Sequence, residues 1–186
     1  MAMRLRRRQC SQRGFSLLEL VVVIALIGTL IGVALDRLLP WLDEAERVSV
    51  LTTESQLRSG LVMEGARRIA RGEYATLSNL QGTNPIRLML EPPRNYAGEL
   101  EAARAAESPP RHWHFNLENR RLVYRSGPPY ALGQKNEEKD DAEYEVRVAF
   151  ADNNKTGVFE PQRDELYGIR LMRVAGGAWL EPEKPN

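Results

Sequence analysis

The chain has 186 residues, and its 26 basic residues nearly balance its 25 acidic residues. Five of the basic residues are arginines within residues 1–14, which contain no acidic residue, so residues 15–186 are mildly acidic and do not favour nucleic acid as a partner. The single cysteine, Cys10, excludes a disulfide framework within the chain and metal sites built from several cysteines.

The first predicted element is a membrane-spanning helix that follows a basic leader, residues 1–14. The sequence RGFSLLELVVVIALIGTLIGVAL covers residues 13–35, and residues 20–35 contain no charged side chain. Counted from Phe15, the apolar segment has about 21 residues, close to the helix length that crosses a hydrocarbon core of about 30 Å. The preceding arginines favour a cytoplasmic start and translocation of the rest. We therefore predict a single-pass helix over residues 15–38.

Two simpler interpretations of this segment leave something unexplained. A secretory signal accounts for the basic start, but the apolar run is long for one and no small-x-small cleavage site with a polar body follows it. A plain membrane anchor accounts for length and orientation but gives no role to Glu19, an acidic residue inside the apolar segment. A carboxylate at that depth costs a few kcal/mol unless it is paired or close to the interface.

Residues 39–72 are rich in helix formers and are predicted to continue the same helix as an amphipathic segment. Pro40 is expected to kink the helix or to remove a hydrogen bond, and Gly72 is expected to end it. A helix over residues 15–70 would be roughly 80 Å long, which indicates an assembly whose core is made of such helices. The residues assigned to the apolar face are Leu38, Leu42, Ala45, Val48, Leu51, Ser55, Val62, Ala66 and Ile69.

The sequence RGFSLLELVVVIALIG, residues 13–28, resembles the N-terminal signature of the type IV pilin and type II secretion pseudopilin superfamily. Members carry a short basic leader that ends in glycine, then an aromatic residue, small or apolar residues, a glutamate and an unbroken apolar run. Here the glycine is Gly14, the aromatic residue is Phe15 and the glutamate is Glu19. One departure is Asp36, which stands where many members have a proline.

The resemblance implies that a membrane-embedded prepilin peptidase cleaves between Gly14 and Phe15 on the cytoplasmic side and methylates the new amino group of Phe15. The helix over residues 15–38 then anchors the subunit in the bacterial inner membrane and later forms the filament core. Glu19 is implied to pair with the amino-terminal charge of a neighbouring subunit, which sets register because a slipped subunit would bury an unpaired carboxylate. The implied partners are the prepilin peptidase, other pilin or pseudopilin subunits, the inner-membrane assembly platform and the lipid bilayer, with no nucleic acid.

Residues 73–186 are predicted to form a periplasmic head, in which the long helix packs on a small antiparallel sheet of about four strands, giving an α+β fold. Residues 111–127 alternate in polarity around a turn at Asn119 and are predicted to form a β-hairpin. Residues 144–150 are predicted to form a further strand. Residues 166–182 are expected to supply one strand, a glycine turn and a short last strand.

The other parts of the head are predicted to be short helices and loops. Residues 78–99 mix apolar residues with Pro and Gly, which is typical of a loop with at most one short helix or turn. Residues 100–107 are predicted to form a short helix that ends before two prolines. Residues 128–143 include the charged sequence EEKDD, residues 137–141, which is predicted to be a solvated loop, and residues 151–165 are rich in turn formers.

Two motifs raise the question of a metal. His112 and His114 would lie on one face of a strand, opposite Trp113 and Phe115, and two imidazoles form one edge of a metal site. The spacing fixes no third ligand, so the histidines are predicted to lie on the solvated side.

The sequence DNNKTG, residues 152–157, resembles the start of a calcium loop with oxygens from Asp152, Asn154 and Thr156. Arg163 stands where the final bidentate glutamate would be. Because Asn, Asp and Gly also form turns, a hairpin turn is favoured and no cofactor is assigned, while calcium stays an open alternative.

The sequence contains no catalytic triad, phosphate-binding loop or dinucleotide fingerprint, so it favours a non-enzymatic protein. The leading hypothesis is a structural subunit of a type IV pilus or type II secretion pseudopilus. A large head without a disulfide favours a minor pilin or pseudopilin over a major pilus subunit. The alternative is a monomeric, membrane-anchored periplasmic binding module.

Overall fold

The computed structural model describes residues 15–130, 139–153, 155–157, 159–160 and 162–181, so the leader lies outside the described residues. One long helix and a five-stranded sheet give the α+β fold that the sequence predicts. The elements in chain order are α1 (Leu17–Ala70), 3-10 helices at Tyr74–Leu80 and Pro85–Leu88, β1 (Tyr96–Leu100), α2 (Ala102–Ala105), β2 (His112–Asn116), β3 (Arg121–Arg125), β4 (Ala142–Ala151), β5 (Glu165–Ala175) and a 3-10 helix at Ala178–Leu180.

Helix α1 is continuous over 54 residues. It begins after Ser16, whose side-chain oxygen accepts a hydrogen bond from the Glu19 backbone N–H at 3.2 Å. It continues through Pro40, whose missing N–H removes one backbone bond without ending the helix. It ends close to the predicted position, because Gly72 adopts φ +74°, a conformation that glycine takes without steric cost.

The predicted apolar face of the second half of α1 was wrong. The buried residues are Glu46, Val50, Thr53, Leu57, Leu61 and Gly65. Most of the residues predicted to form the apolar face are exposed, and Val62 is 62% exposed. Both sides of this helix carry apolar residues, so periodicity alone does not identify the side that faces the head. At Gly65 the helix and the sheet lie so close that an added Cβ would be 2.8 Å from Ile169 Cδ1.

The sheet has the strand order β1-β2-β3-β4-β5, and β1 was not among the predicted strands. Strands β2 to β5 form the expected antiparallel meander, whereas β1 pairs with β2 in parallel. Strand β1 lies in a segment that was predicted to be a loop, because its sequence YAGEL lacks the alternation of a half-buried strand. Helix α2 provides the crossover that parallel pairing requires.

The C-terminal part of the head also differs from the prediction. After β5 the chain forms a 3-10 helix at Ala178–Leu180 instead of a short last strand. Arg173 Nη1 donates to the Gly177 carbonyl at 2.8 Å, and Trp179 Nε1 donates to the Asp140 carbonyl at 3.0 Å. These two bonds hold the turn against the sheet and leave Leu180 buried.

The main core lies between α1 and the sheet. Trp113 packs against Tyr124 and Tyr144, with ring centroids 5.0 and 5.7 Å apart. Leu57 and Leu61 of α1 are fully buried in the same cluster. Burial of each such side chain contributes about 1.5–3 kcal/mol to the free energy of folding. The second half of α1 therefore completes the core of the head.

The opposite face of the sheet was predicted to be solvated, and this prediction was wrong for His114. Helix α2 packs on β2, and His114 is only 3% exposed. Its Nδ1 atom has no hydrogen-bond partner in the described part of the chain. Burial lowers the pKa of His114, while the carboxylates of Asp141 and Glu143 act in the opposite direction. The imidazole is therefore a neutral core side chain and not half of an exposed metal edge.

The buried imidazole predicts that the head loses stability as the pH falls. Below the ordinary pKa of about 6.5 the unfolded chain binds a proton at His114 that the folded chain resists, so acidification favours unfolding. Denaturant unfolding of the detergent-solubilised chain between pH 7 and 5.5 measures this slope. We expect His114→Gln to make the slope shallower. An unchanged slope would show that His114 does not contribute to it.

Candidate functional site

The candidate functional site has two parts, both on α1: the exposed N-terminal segment and the place where the helix meets the head. Every residue from Phe15 to Leu38 is exposed, and none of the apolar window is buried. Within the described residues, α1 is one helix that is long and apolar enough to cross a membrane. Side chains of this kind gain hydrophobic free energy only when lipid or other chains cover them.

The predicted processing residues lie at the start of this segment. Gly14 falls outside the described residues, and Phe15 is exposed immediately before the helix. Ser16 and Glu19 occupy the N-cap and N3 positions of a capping box, in which a glutamate can also bond back to the N-cap backbone. Only the bond from the Glu19 N–H to Ser16 Oγ forms.

The carboxylate of Glu19 has no hydrogen bond or ion pair to any other described residue. Its position in the first helical turn is favourable, because the positive end of the helix dipole is there. The geometry thus leaves this charge available to a partner outside the helix.

A cluster of charges, which we call the junction cluster, joins α1 to the head. It consists of Asp43, Glu46, Arg111, Tyr124 and Lys139. Glu46 has a side chain that is 5% exposed and lies 3.3 Å from both Arg111 Nε and Lys139 Nζ. Lys139 Nζ also contacts Asp43 Oδ1 at 2.7 Å, and the Tyr124 hydroxyl donates to Glu46 Oε1 at 3.0 Å. The two carboxylates, of Asp43 and Glu46, balance the two cations, of Arg111 and Lys139. Little net charge is therefore left in this partly desolvated cluster.

The hydroxyl of Tyr124 is a reliable donor in this cluster. Burial raises the pKa of Tyr124, and the neighbouring Glu46 carboxylate raises it further. The phenol therefore stays protonated near neutral pH and donates to the carboxylate throughout that range.

Arg111 holds the loop after β3 against the helix. Its guanidinium donates to the Pro128 carbonyl and lies 3.9 Å from the centre of the Tyr130 ring. The Tyr130 N–H in turn donates to Asp43 Oδ2 at 3.1 Å. A Cβ at Gly127 would overlap the guanidinium where it now lies, so a larger residue here would displace Arg111.

Sequence reasoning missed the junction cluster and treated residues 137–141 as a solvated loop. Residues 137 and 138 lie outside the described residues, but Lys139 is largely buried and ion-paired. Its acidic partners are more than ninety residues away in the chain, so no local pattern reveals the pairs. Glu46 is buried although its neighbour Arg47 forms a salt bridge with the exposed Glu44. The helical periodicity does not distinguish the buried acid from the exposed one.

The proposed calcium residues form part of a closed turn. Asp152 accepts hydrogen bonds from the N–H groups of Thr156 and Gly157 at 3.0 and 2.8 Å, and Asn154 lies outside the described residues. Asp164, the acidic residue one position after Arg163, accepts from the Asn153 N–H at 3.1 Å. No group of three or more His, Cys, Asp or Glu side chains suited to a metal occurs within the described residues.

Residues 10–35 match the family described as the prokaryotic N-terminal methylation motif. This motif is the signature of type IV pilins and pseudopilins, so the resemblance inferred from the leader junction and the apolar run is confirmed. The match includes Gly14, Phe15 and Glu19 and does not extend to the head. No solved structure matches the chain.

The junction cluster predicts a large difference between two neighbouring acids of α1. Glu46→Ala leaves Arg111 and the Tyr124 hydroxyl without their buried partner, so we expect a loss of about 3–5 kcal/mol in the free energy of unfolding. Glu44 pairs with Arg47 and its side chain is 55% exposed. Glu44→Ala should therefore change stability by less than about 0.5 kcal/mol. Chemical denaturation of the detergent-solubilised variants measures both, and equal effects would contradict the assigned role of Glu46.

Proposed function

We propose that this chain, which carries the N-terminal methylation motif of type IV pilins and pseudopilins, is a structural subunit of a type IV pilus or of a type II secretion pseudopilus. In this proposal a prepilin peptidase cleaves between Gly14 and Phe15 and methylates the Phe15 amino group. The motif points to a structural subunit and not to an enzyme. A minor pilin or pseudopilin is favoured over a major pilus subunit because the head has no cysteine to form a disulfide.

The observation that carries the proposal is the exposure of the first half of α1. A folded head is joined without a break to an apolar helix that nothing in the described structure covers. Such a helix fits a protein whose apolar surface is covered first by lipid and then by equivalent helices of other subunits. The full helix is roughly 80 Å long, which lets a head and a filament core be parts of one rigid element.

The location of the subunit follows from charge and length. The arginines of residues 1–14 favour retention of the N-terminus in the cytoplasm, and the head is then on the periplasmic side of the inner membrane. Before assembly the partners are the lipid bilayer, the peptidase and an inner-membrane assembly platform. After assembly they are other pilin or pseudopilin subunits.

Glu19 is proposed to provide the charge that directs assembly. Its carboxylate is exposed and unpaired within the described residues, in a segment that otherwise offers only apolar contacts. The methylated amino group of Phe15 in a neighbouring subunit has the opposite charge. Pairing the two in a low-dielectric filament core penalises any register in which the carboxylate is left unpaired.

A second candidate function is that of a monomeric membrane-anchored binding module. An open cleft of about 940 Å³ near the junction cluster supports it, since Arg125 and Asp141 lie in its wall together with four prolines. Glu19 distinguishes the two candidates. An anchor needs only the apolar segment, whereas an assembling subunit needs a charge within it.

Processing gives the first test of the main proposal. The mature chain should begin at Phe15 with a methylated amino group, because the leader junction carries the matched motif. Intact-mass measurement of the chain from cells with and without the peptidase determines this. A chain that keeps residues 1–14 in the presence of an active peptidase, or that is cut after residue 35, would overturn the assignment.

Substitution of Glu19 gives the second test. Glu19→Ala and Glu19→Gln should both insert into the membrane and be cleaved, because the leader junction and the apolar run remain. Assembly should fail or become much slower, since the amino-terminal charge of the neighbour loses its partner. Cell fractionation, followed by comparison of membrane-bound subunit with subunit in sheared or cross-linked filaments, measures the change.

Ser16→Ala is the matched control for Glu19. It removes the hydrogen bond to the Glu19 N–H while keeping the carboxylate, and N-cap loss costs about 1 kcal/mol of helix stability. Normal assembly of Ser16→Ala together with failure of Glu19→Gln assigns the effect to charge. If both Glu19 variants assemble like the unaltered chain, the binding-module function gains support instead.

A further inference from the structure

The exposure of α1 changes at one place along its length. All described residues up to Leu38 are exposed, Leu39 is the first that is half-buried, and Glu46 is the first that is fully buried. The burial of α1 therefore begins at the level of Leu39. The Asp43 carboxylate, one turn later, already receives the Tyr130 N–H from the head.

This level lies very close to the end of the apolar run. The uncharged residues end at Leu35, so Leu39 is about 6 Å further along the helix axis. The headgroup layer on each side of a bilayer is about 5–8 Å deep, from a total thickness of about 40–45 Å and a hydrocarbon core of about 30 Å. If residues up to Leu35 fill the core, the level at which α1 becomes half-buried lies at the outer surface of the headgroup layer.

The side chains from the end of the apolar run to just beyond Leu39 have the composition of a membrane interface. Asp36 and Arg37 are charged, and the sequence LLPWL follows at residues 38–42. Trp41 is 73% exposed, and Leu38 and Leu42 are also exposed. Tryptophan concentrates at the headgroup level because its ring is apolar and its N–H needs a polar partner.

The head contributes to the same level. Pro128 is exposed, and Tyr130 lies in the loop that Arg111 and Asp43 hold against the helix. Because this loop is held by the junction cluster, its height along the helix is set by Asp43. We call residues 36–42 of α1 together with Pro128 and Tyr130 the membrane seat.

We propose that the membrane seat binds the headgroup layer of the bilayer, with Trp41 as its anchor, so that the head rests directly on the membrane surface. This inference rests on the membrane anchoring in the proposed function. The occupant is lipid because the seat begins directly after Leu35, the last residue of the exposed uncharged run, where a membrane-spanning helix would enter the headgroup layer. Arg37 is placed to meet lipid phosphate, and Leu38 is the apolar side chain of the seat nearest to the acyl chains.

The seat fixes the height of the head while the subunit is in the membrane. A subunit that leaves the bilayer must withdraw Trp41 from the interface as well as the apolar run from the core. The seat therefore contributes a second interaction with the bilayer, close to the head and separate from the burial of residues 15–35 in the hydrocarbon core.

Spin labels on single cysteines test this in liposomes of phosphatidylethanolamine and phosphatidylglycerol. The full chain is used with Cys10→Ser, which removes its one native cysteine. Labels at Ile27→Cys, Pro128→Cys and Leu90→Cys probe the core segment, the seat and the far part of the head. Leu90 is a matched exposed control, because Leu88 lies beside Gly60, about 31 Å above Leu39 along the helix.

A nickel-chelating lipid headgroup relaxes labels that lie near the bilayer surface. We expect the Pro128 label to relax several-fold more than the Leu90 label, and Trp41→Ser to reduce that difference by at least half. Collisions with oxygen should place the Ile27 label deep in the hydrocarbon core. Trp41→Phe should retain most of the effect, since it keeps an aromatic ring at the interface.

The outcomes separate failure of the seat from failure of the anchor. A deep Ile27 label with equal relaxation at Pro128 and Leu90 overturns the seat and leaves the proposed function standing. An Ile27 label in water overturns both. Efficient disulfide formation between copies carrying Trp41→Cys, with no effect of the nickel lipid at Pro128, would show that a second copy covers this surface instead of lipid.

Discussion

The continuity of α1, which Pro40 does not end, is the constraint on which the rest of the structure depends. A segment in lipid must satisfy every N–H and C=O group internally, and an α-helix does this residue by residue. Because α1 runs from Leu17 to Ala70, the same bonds continue from the exposed apolar half into the half that packs on the sheet. The head therefore needs no separate connection to the membrane segment, since its core is completed by that helix.

The two halves of α1 obtain their stability from different sources. Val50, Leu57 and Leu61 are covered by the strands of the head, whereas the first half is covered by nothing within the described residues. The change occurs around Glu46, where ion pairs and hydrogen bonds replace apolar contact. Directional bonds fix the angle between helix and head better than apolar packing does, because each donor accepts only a narrow range of geometries.

The sequence predicted those features that local chemistry determines. The apolar run, the alternation around Trp113 and the end of α1 near Gly72 are each encoded within a few neighbouring residues. Strand β1 was missed because its pairing depends on β2. The buried side of α1 was not identified because its partners, which include Arg111 and Lys139, lie far along the chain. Of the candidate site, the methylation motif was evident and the junction cluster was not, since ion pairs between distant residues leave no periodic signal.

The continuity of α1 also has a mechanical consequence. Glu46 and Gly65 are the first and last residues of its buried face. They lie about 28 Å apart along the axis, so the head contacts α1 over a long distance. No linker separates the exposed half of α1 from the half that packs on the sheet, because both belong to one continuous helix. A displacement of the N-terminal end of α1 along its axis is therefore transmitted through the helix to the head.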